Sequence, residues 1–203
     1  YKPSVAEAAI RAGASIVNDV SGLRDPELAD LCADTGAALV IMHTRTPPKV
    51  KLTDPDHYDD VVQDVVDFLE ERIALATDRG VGLDQLMLDP GPDFAKTPHQ
   101  TVATLRALGE LHRKFARPLL LAVSRKDFIG AVTGRPPRER DAGTLAALGE
   151  AVDAGAHMVR LHDVRAASDF LTVRRVLRGE QEVPRDLLLD PSLRRQAHPG
   201  RPA

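Results

Sequence analysis

The chain contains one cysteine and no tryptophan, and aromatic residues make up only 3% of it. With Cys32 alone, no disulfide can form within the chain, which fits a reducing compartment. So few aromatic rings leave no platform on which single-stranded nucleic acid could stack, and a net charge of −3 gives no electrostatic case for nucleic acid. We therefore expect a cytoplasmic protein that does not bind nucleic acid.

Long apolar runs and signal-peptide features are missing as well. No apolar run approaches the ~18 residues of a transmembrane helix, so we expect no membrane segment. The first residues lack a signal peptide and an initiator Met, from which we expect the chain to begin partway through a longer protein. The 203 residues, 43% of them hydrophobic, are enough for one domain with its own core.

Five short apolar segments each run into a polar residue. These junctions are Ile16-Val17 before Asn18, Ala38–Met42 before His43, Leu86–Leu88 before Asp89, Leu119–Val123 before Ser124, and Met158-Val159 before Arg160. Apolar runs of this length are typical of strands in a parallel sheet, and segments of helical periodicity lie between them. The pattern predicts βα units whose strand ends meet at one rim, where α/β proteins build their sites.

Two of the intervening segments give specific expectations about helices. The first, residues 4–12, places Val5, Ala8, Ala9 and Ala12 on one apolar stripe. Another begins at the capping box Thr97–Gln100, and its apolar residues, spaced as in one continuous helix, are Val102, Leu105, Leu108 and Leu111. We expect both stripes to face the core.

The βα pattern fits two architectures, an open doubly wound sheet or part of a (β/α)₈ barrel. A complete barrel typically needs ~250 residues, and five strands cannot close one. Residues 180–203 mix charges and prolines, and we interpret them as a mostly disordered tail.

The polar residues at the predicted strand ends suggest a ligand with two different parts. The carboxylate of Asp89 and the amide of Asn18 suit a heterocycle with a guanidine-like edge, because each can pair with adjacent hydrogen-bonding groups. Arg160 and His162 share one face by strand alternation and suit a phosphate or pyrophosphate. The histidines are scattered, so no metal cage is expected, and Ser124 follows a strand rather than occupying a nucleophile elbow.

Several segments together resemble a known family. They are residues 12–22 (AGASIVNDVSG), Met42-His43, Asp89-Pro90-Gly91, Ser124-Arg125-Lys126 and residues 159–164 (VRLHDV). In this order and spacing, over about residues 1–178, the chain resembles dihydropteroate synthases. The resemblance implies condensation of 4-aminobenzoate with hydroxymethyl-dihydropterin pyrophosphate in folate biosynthesis, with release of pyrophosphate.

The fold implied by the resemblance is an α/β, partial (β/α)₈ TIM barrel with about five β/α units, strands four to eight. The pterin-binding domain would span residues 1–178, followed by a charged, Pro-rich tail over 179–203. The first three units would be missing, and with them the loop that helps to hold Mg²⁺, so no metal ligand is expected in this chain. We expect the chain alone to be inactive, and the complete protein to be a homodimer.

The resemblance also implies roles for single residues. Asn18, Asp89 and Lys126 would bind the pterin, with Asp89 and Lys126 also acting in catalysis. Met42 and Phe94 would form apolar walls of the pterin pocket. Ser124 would contact aminobenzoate, and the pyrophosphate would lie against Arg160 and His162.

Two departures from the family leave alternatives open. Asp93 stands where the family usually has Gly, and the loop over residues 44–48 is also unusual. A divergent pterin-binding paralogue without catalysis is one alternative. A methyltetrahydrofolate-type methyltransferase is another, but it would not need Arg160 and His162 as a pair of anion-binding residues.

Overall fold

A computed structural model of the chain describes residues 1–194. Helices and strands alternate along most of it. The order is α1 (Pro3–Arg11), β1 (Ile16–Asp19), α2 (Glu27–Thr35), β2 (Ala38–Met42), α3 (Val61–Asp78), β3 (Leu86–Asp89), α4 (Pro98–Arg106), α5 (Leu108–Phe115), β4 (Leu120–Leu121), α6 (Asp127–Thr133), α7 (Asp141–Asp153), β5 (Met158–Val159) and α8 (Val164–Leu177). Short 3₁₀ turns cover Leu83–Gln85, Pro137–Glu139 and Pro191–Arg194.

All strand pairs in residues 1–194 are parallel, as predicted. One sheet has the order β1-β2-β3, with Ile41 opposite Leu88, and the other pairs β4 with β5. A single bridge between Leu88 and Leu119 joins the two sheets. The strands therefore lie in chain order, as in consecutive units of a β/α barrel, whereas a doubly wound sheet reverses its order at a switch point.

The strands are shorter than the apolar runs that encode them. The fourth run, 119–123, contributes only Leu120–Leu121 to the ladder, and the fifth only Met158–Val159. Val123 is nevertheless fully buried. An apolar run in the sequence indicates which residues are buried, and burial continues beyond the last pair of the ladder. The ladder itself ends where no neighbouring strand continues.

The core lies against β2, the central strand of the larger sheet. Leu39, Val40, Ile41 and Met42 are all buried, so both faces of this strand are covered, as is usual in parallel sheets. Leu28 of α2 and Leu69 of α3 are completely buried in the same core. This packing fixes the carboxyl ends of β1, β2 and β3 side by side.

The apolar stripe predicted for the first helix is wrong. Val5 is 61% exposed, and no residue of α1 is buried. Ala6 and Ile10 are the side chains that pack against the core. Since α1 lies beside the edge strand β1, only a narrow face of it meets other residues, and alanines at helical spacing do not reveal which face that is.

The single helix predicted from Thr97 onward is also wrong. Ala107 separates α4 from α5, and Leu108 and Leu111 are buried in the second of them. The predicted capping box is present, but the buried residues of α4 are polar: Gln100, Thr101 and Thr104. Gln100 and Thr101 form hydrogen bonds with neighbouring loops, and the hydroxyl of Thr104 donates to the carbonyl of Gln100 within the helix, so apolar periodicity could not identify this face.

The chain divides into two compact units, Tyr1–Val164 and the remainder from Arg165. The second unit contains most of α8 and, up to Arg194, a segment in which Leu187, Leu188 and Leu189 are exposed. A domain boundary after residue 178 stays a prediction, and residues 195–203 of the predicted tail lie outside the described part. None of the helices within residues 1–194 is both long and apolar enough to cross a membrane.

Candidate active site

A cavity of about 300 Å³ lies at the carboxyl ends of the strands. It brings together every site residue predicted from the sequence. These are Asn18, Met42, Asp89, Phe94, Ser124, Lys126, Arg160 and His162, accompanied by Val20, Ala122 and Leu161. The convergence of residues from all five strand ends supports the predicted site, while their individual roles stay predictions.

The alternation of side chains along β1 decides which polar group enters the cavity. Asn18 is exposed and lines the cavity, whereas Asp19 is completely buried on the opposite face. The carboxylate of Asp19 accepts the backbone N–H groups of Ser21 at 2.9 Å and of Leu23 at 2.6 Å. Asp19 thus fixes the loop after β1, as expected for a residue of that parity.

Asp89 is the buried acid of the cavity, at the end of β3. Its Oδ1 accepts the backbone N–H of Gly91 at 2.8 Å. Burial raises the pKa of Asp89 to about 6, while the Gly91 N–H and the nearby Lys126 favour the charged form. The carboxylate is therefore available at neutral pH for a ligand that offers N–H donors.

Lys126 and Phe94 form one wall. The Nζ of Lys126 lies 4.3 Å from the centroid of the Phe94 ring and donates to the carbonyl of Pro92 at 2.7 Å. Burial lowers the pKa of Lys126, and the carboxylates of Asp93 and Asp89 oppose this shift. The ammonium thus lies between an aromatic face and two acids, where it can bind an electron-rich ligand atom.

Ser124, Arg160 and His162 also line the cavity. The Oγ of Ser124 is 2.7 Å from Nδ1 of His162 and also accepts the backbone N–H of His162 at 3.1 Å. Arg160 and His162 are exposed. They follow β5 instead of belonging to it, yet both line the cavity. A guanidinium that is accessible to solvent and lines a cavity suits an anion.

Arg125, next to Lys126, does not line this cavity. It has a left-handed backbone (φ 54°), and its guanidinium forms two hydrogen bonds with Asp141, at 2.8 and 3.2 Å. The two adjacent cations therefore separate: Arg125 has an anionic partner within the protein, and Lys126 faces the cavity.

Asp93, the unusual acid in the loop after β3, has a structural use. It adopts a left-handed backbone with φ 62°. Its Oδ1 accepts the hydroxyl of Thr101 at 3.1 Å, and its Oδ2 accepts the backbone N–H of Asp127, the first residue of α6, at 2.5 Å. Asp93 thus ties the loop to the starts of two helices, which a glycine could not do through a side chain.

A buried polar network beneath the cavity was not predicted. The Nδ1 of His43 lies 2.6 Å from Nζ of Lys96, and its Nε2 lies 2.8 Å from Oδ1 of Asp64. Arg45 donates two hydrogen bonds to the same carboxylate, at 2.9 and 2.7 Å. In the sequence His43 marks only a strand end, and Lys96 is one of six lysines with no motif to single it out. No spacing rule connects residues so far apart in the chain.

Burial shifts the titration of both central groups of this network. It lowers the pKa of His43 to about 4, against the opposing effect of Asp64. It lowers the pKa of Lys96 to about 7, while Asp89 acts in the opposite direction. The imidazole is therefore neutral at pH 7, with Nδ1 as an acceptor for Lys96 and Nε2–H as a donor to Asp64.

Within residues 1–194, no group of three or more His, Cys, Asp or Glu side chains is arranged to hold a metal ion. The carboxylates near the cavity instead interact with N–H groups and cations, as Asp89 does with Gly91 and Lys126. This part of the chain does not fit a metal cage.

Comparisons with known proteins agree with this geometry. The family model described as pterin binding enzyme matches residues 1–162. The chain is 40% identical over 166 residues to the dihydropteroate synthase of Bacillus subtilis (strain 168), covering 81% of this chain and 55% of that protein. It is 40% identical over 176 residues to that of Synechocystis sp., covering 85% and 60%. The chain thus spans little more than half the length of these curated relatives.

Solved structures show the same likeness. Xanthomonas albilineans dihydropteroate synthase with 4-aminobenzoic acid superposes with a TM-score of 0.79 at 42% identity, covering 91% of this chain and 64% of that one. Stenotrophomonas maltophilia dihydropteroate synthase with active site-bound imidazole gives 0.84 at 38% identity, covering 90% and 68%. The chain therefore shares the α/β architecture of these proteins.

Proposed function

The chain belongs to the family of pterin-binding enzymes, and we propose that it forms the pterin and pyrophosphate subsites of a dihydropteroate synthase. In the proposed reaction, 4-aminobenzoate and hydroxymethyl-dihydropterin pyrophosphate give dihydropteroate and pyrophosphate, a step of folate biosynthesis. The five β/α units would correspond to strands four to eight of an eight-stranded barrel. We further propose that the complete protein is a cytoplasmic homodimer.

The observation that carries this proposal is that two chemically different groups of side chains line one cavity. In the first group, the buried carboxylate of Asp89 and the amide of Asn18 can accept and donate hydrogen bonds along the edge of a pterin ring. Met42 and Phe94 would contact the faces of the ring. In the second group, the exposed guanidinium of Arg160 suits the oxygens of a pyrophosphate.

The proposed chemistry is a substitution at the methylene carbon of the pterin. The bond between this carbon and the pyrophosphate oxygen breaks, and its electron pair leaves with the pyrophosphate. Arg160 and His162 would stabilise the negative charge that develops there. The amine nitrogen of 4-aminobenzoate then bonds to the carbon and releases a proton to solvent. An aryl amine is neutral at pH 7, so this step needs no strong base, and catalysis consists mainly of positioning.

Two further residues have proposed roles in this step. Lys126, held between Phe94 and the acids, would hydrogen-bond the pterin and stabilise charge that develops on its ring atoms. Ser124 would contact the aminobenzoate. Mg²⁺, which the resemblance implies as a companion of the pyrophosphate, has no fitting set of ligands in residues 1–194, and no role is assigned to it.

Calorimetry with the wild-type chain tests the binding part of the proposal. We expect hydroxymethylpterin and pyrophosphate to bind simultaneously, and Asp89→Asn to weaken the pterin selectively. Asp67→Asn, at an exposed position of α3, is the matched control and should leave both affinities unchanged. Absence of pterin binding in the wild type would overturn the proposal.

Turnover of the complete gene product tests the reaction itself. We expect dihydropteroate to form from 4-aminobenzoate and the pterin pyrophosphate, and chromatography would quantify it. Tight pterin binding without any product would favour the non-catalytic paralogue, and methyl transfer from methyltetrahydrofolate would favour the methyltransferase.

A further inference from the structure

The loop after β3 is folded around a buried ammonium group. Lys96 is 2% exposed, and its Nζ donates to the carbonyls of Gly91 at 3.1 Å and Phe94 at 3.3 Å. The third partner is Nδ1 of His43 at 2.6 Å. An ammonium has three N–H donors, and each of them has an acceptor here. The loop from Asp89 to Lys96 is thus held together by hydrogen bonds from the side chain of its last residue.

The same loop carries residues that line the cavity. Gly91, whose carbonyl binds Lys96, donates its N–H to the Asp89 carboxylate at 2.8 Å. Its backbone is left-handed (φ 67°), and a Cβ at this position would lie 2.1 Å from the carbonyl oxygen of His43. Phe94, whose carbonyl also binds Lys96, forms the aromatic wall beside Lys126. Lys96 therefore contacts both segments that place Asp89 and Phe94.

The charges around Lys96 favour the same arrangement. Asp64 is the acid of the network on one side, but it already interacts with His43 and with the guanidinium of Arg45. Burial lowers the pKa of Lys96, whereas Asp89, on the other side, favours its ammonium form together with Asp64 and Asp93, and Lys126 opposes it. The acid of the cavity thus helps to stabilise the positive charge of Lys96.

We propose that Lys96 is a positioning residue of the site, whose buried ammonium holds the loop over residues 89–96 and keeps the Asp89 carboxylate ionised for the ligand. Lys96 does not line the cavity and acts through Asp89, Gly91 and Phe94. The inference rests on the proposed function only in naming the pterin as the ligand.

Three cations lie near Asp89, and Lys96 differs from the other two in its position. Lys126 approaches from the segment after β4, Arg160 from the segment after β5, and Lys96 from the loop after β3. Lys126 and Arg160 line the cavity, where a ligand would compete for their charge. Lys96 lies outside the cavity, so its effect on Asp89 persists whether or not a ligand is bound.

Carbon-13 NMR of the full, ligand-free chain, with labelled aspartate, measures the ionisation of Asp89 directly. Asp89→Asn identifies the Cγ signal by removing it. In the wild type, we expect the Asp89 signal to show, besides its main step, a second smaller step at the pH where Lys96 loses its proton, because coupled groups report each other's titration. A curve with a single step would overturn the inference, whatever the behaviour of variants.

Lys96→Met removes the charge at nearly constant volume. We expect the Asp89 titration to move upward by about one pH unit, and pterin affinity at pH 7 to fall about twofold, because the ionised fraction of Asp89 at that pH decreases from about nine tenths to about one half. Lys96→Gln gives the same measurement if the Met variant does not fold. Lys114→Met, which removes an exposed partner of Glu70, is the matched control and should change neither quantity.

An Asp89 titration that stays within about 0.3 pH units of the wild type in a folded Lys96 variant would overturn the inference. Because the titration is recorded without ligand, it remains decisive even if the wild type binds no pterin. Failure of the proposed function and failure of this inference therefore give different results.

Discussion

Two hydrogen bonds join Ser124 to His162 in the cavity. The Ser124 Oγ accepts the backbone N–H of His162 at 3.1 Å and lies 2.7 Å from its Nδ1. With the backbone N–H as a donor, the hydroxyl proton is available to Nδ1, which leaves Nε2–H as the ring donor. Ser124 thereby orients the ring for an anion.

Ser124→Ala should therefore weaken the binding of pyrophosphate as well as that of 4-aminobenzoate. Loss of a hydrogen bond worth about 0.5–1.5 kcal/mol corresponds to a decrease in affinity of roughly 2- to 10-fold. Calorimetry with each ligand measures the effect, and Ser168→Ala, exposed on α8, is the control. Loss of 4-aminobenzoate affinity alone would show that the orientation of His162 does not depend on this hydroxyl.

Asp89→Ala should nearly abolish pterin affinity. The variant removes a buried carboxylate that can form charge-assisted hydrogen bonds with the ring, at a cost on the order of 2–4 kcal/mol. A calorimetric titration with hydroxymethylpterin provides the measurement. A change of less than threefold would remove Asp89 from the binding site.

Arg160→Ala and His162→Ala should weaken pyrophosphate far more than a pterin without phosphates. Both side chains line the cavity and are exposed to solvent, and Arg is suited to phosphate oxygens. Competition assays with the two ligands separate these effects. Equal weakening of both would assign the pair to the pterin subsite or to the scaffold.

Because His43 is buried in its neutral form, its protonation should make the protein less stable in mild acid. Its pKa is lowered from 6.5 to about 4, so the unfolded chain binds more protons between these values. The contribution of neutral His43 is therefore complete above pH 6.5 and is lost as the pH falls through 4, by on the order of 3 kcal/mol at most. Urea unfolding of the wild type and of His43→Gln at pH 7 and pH 4.5 measures it.

The His43→Gln variant should lose less stability between the two pH values than the wild type. His99→Gln, at an exposed position of α4, is the control and should follow the wild type. The same pH dependence in all three proteins would mean that another group causes the acid sensitivity.

Asp93→Ala should destabilise the fold more than Asp93→Gly. Both variants lose the two side-chain hydrogen bonds, from the Thr101 hydroxyl and from the N–H of Asp127, but only alanine is strained at φ 62°. The difference should be about 1 kcal/mol in favour of glycine, measured by urea unfolding. Equal stabilities would show that the loop relaxes to another conformation when the carboxylate is removed.

The cavity could be anticipated because most of its polar residues lie just after the end of an apolar run. Parallel strands bring their carboxyl ends to one rim, so Asn18, Asp89 and Arg160 converge although they lie far apart in the chain. Strand positions follow from the same regularity. Their lengths do not, since the extent of a ladder depends on the neighbouring strand.

The network around Lys96 could not be anticipated in the same way. Its partners His43 and Asp64 lie on different elements, and their contacts are set by how β2, α3 and the loop after β3 pack together. The inward face of α4 was missed for a similar reason, because Gln100 and Thr101 are buried by hydrogen bonding. Apolar periodicity detects burial that is driven by hydrophobic contact, and only that.

The junction between the two sheets determines how a bound ligand would affect local opening. Leu88 and Leu119 form the one bridge between them in the described chain. Asp89 belongs to the three-stranded sheet, and Arg160 follows a strand of the two-stranded sheet. A ligand that contacts both residues would link the two sheets in addition to this bridge. Backbone amides next to the bridge should therefore exchange with solvent more slowly once the cavity is filled.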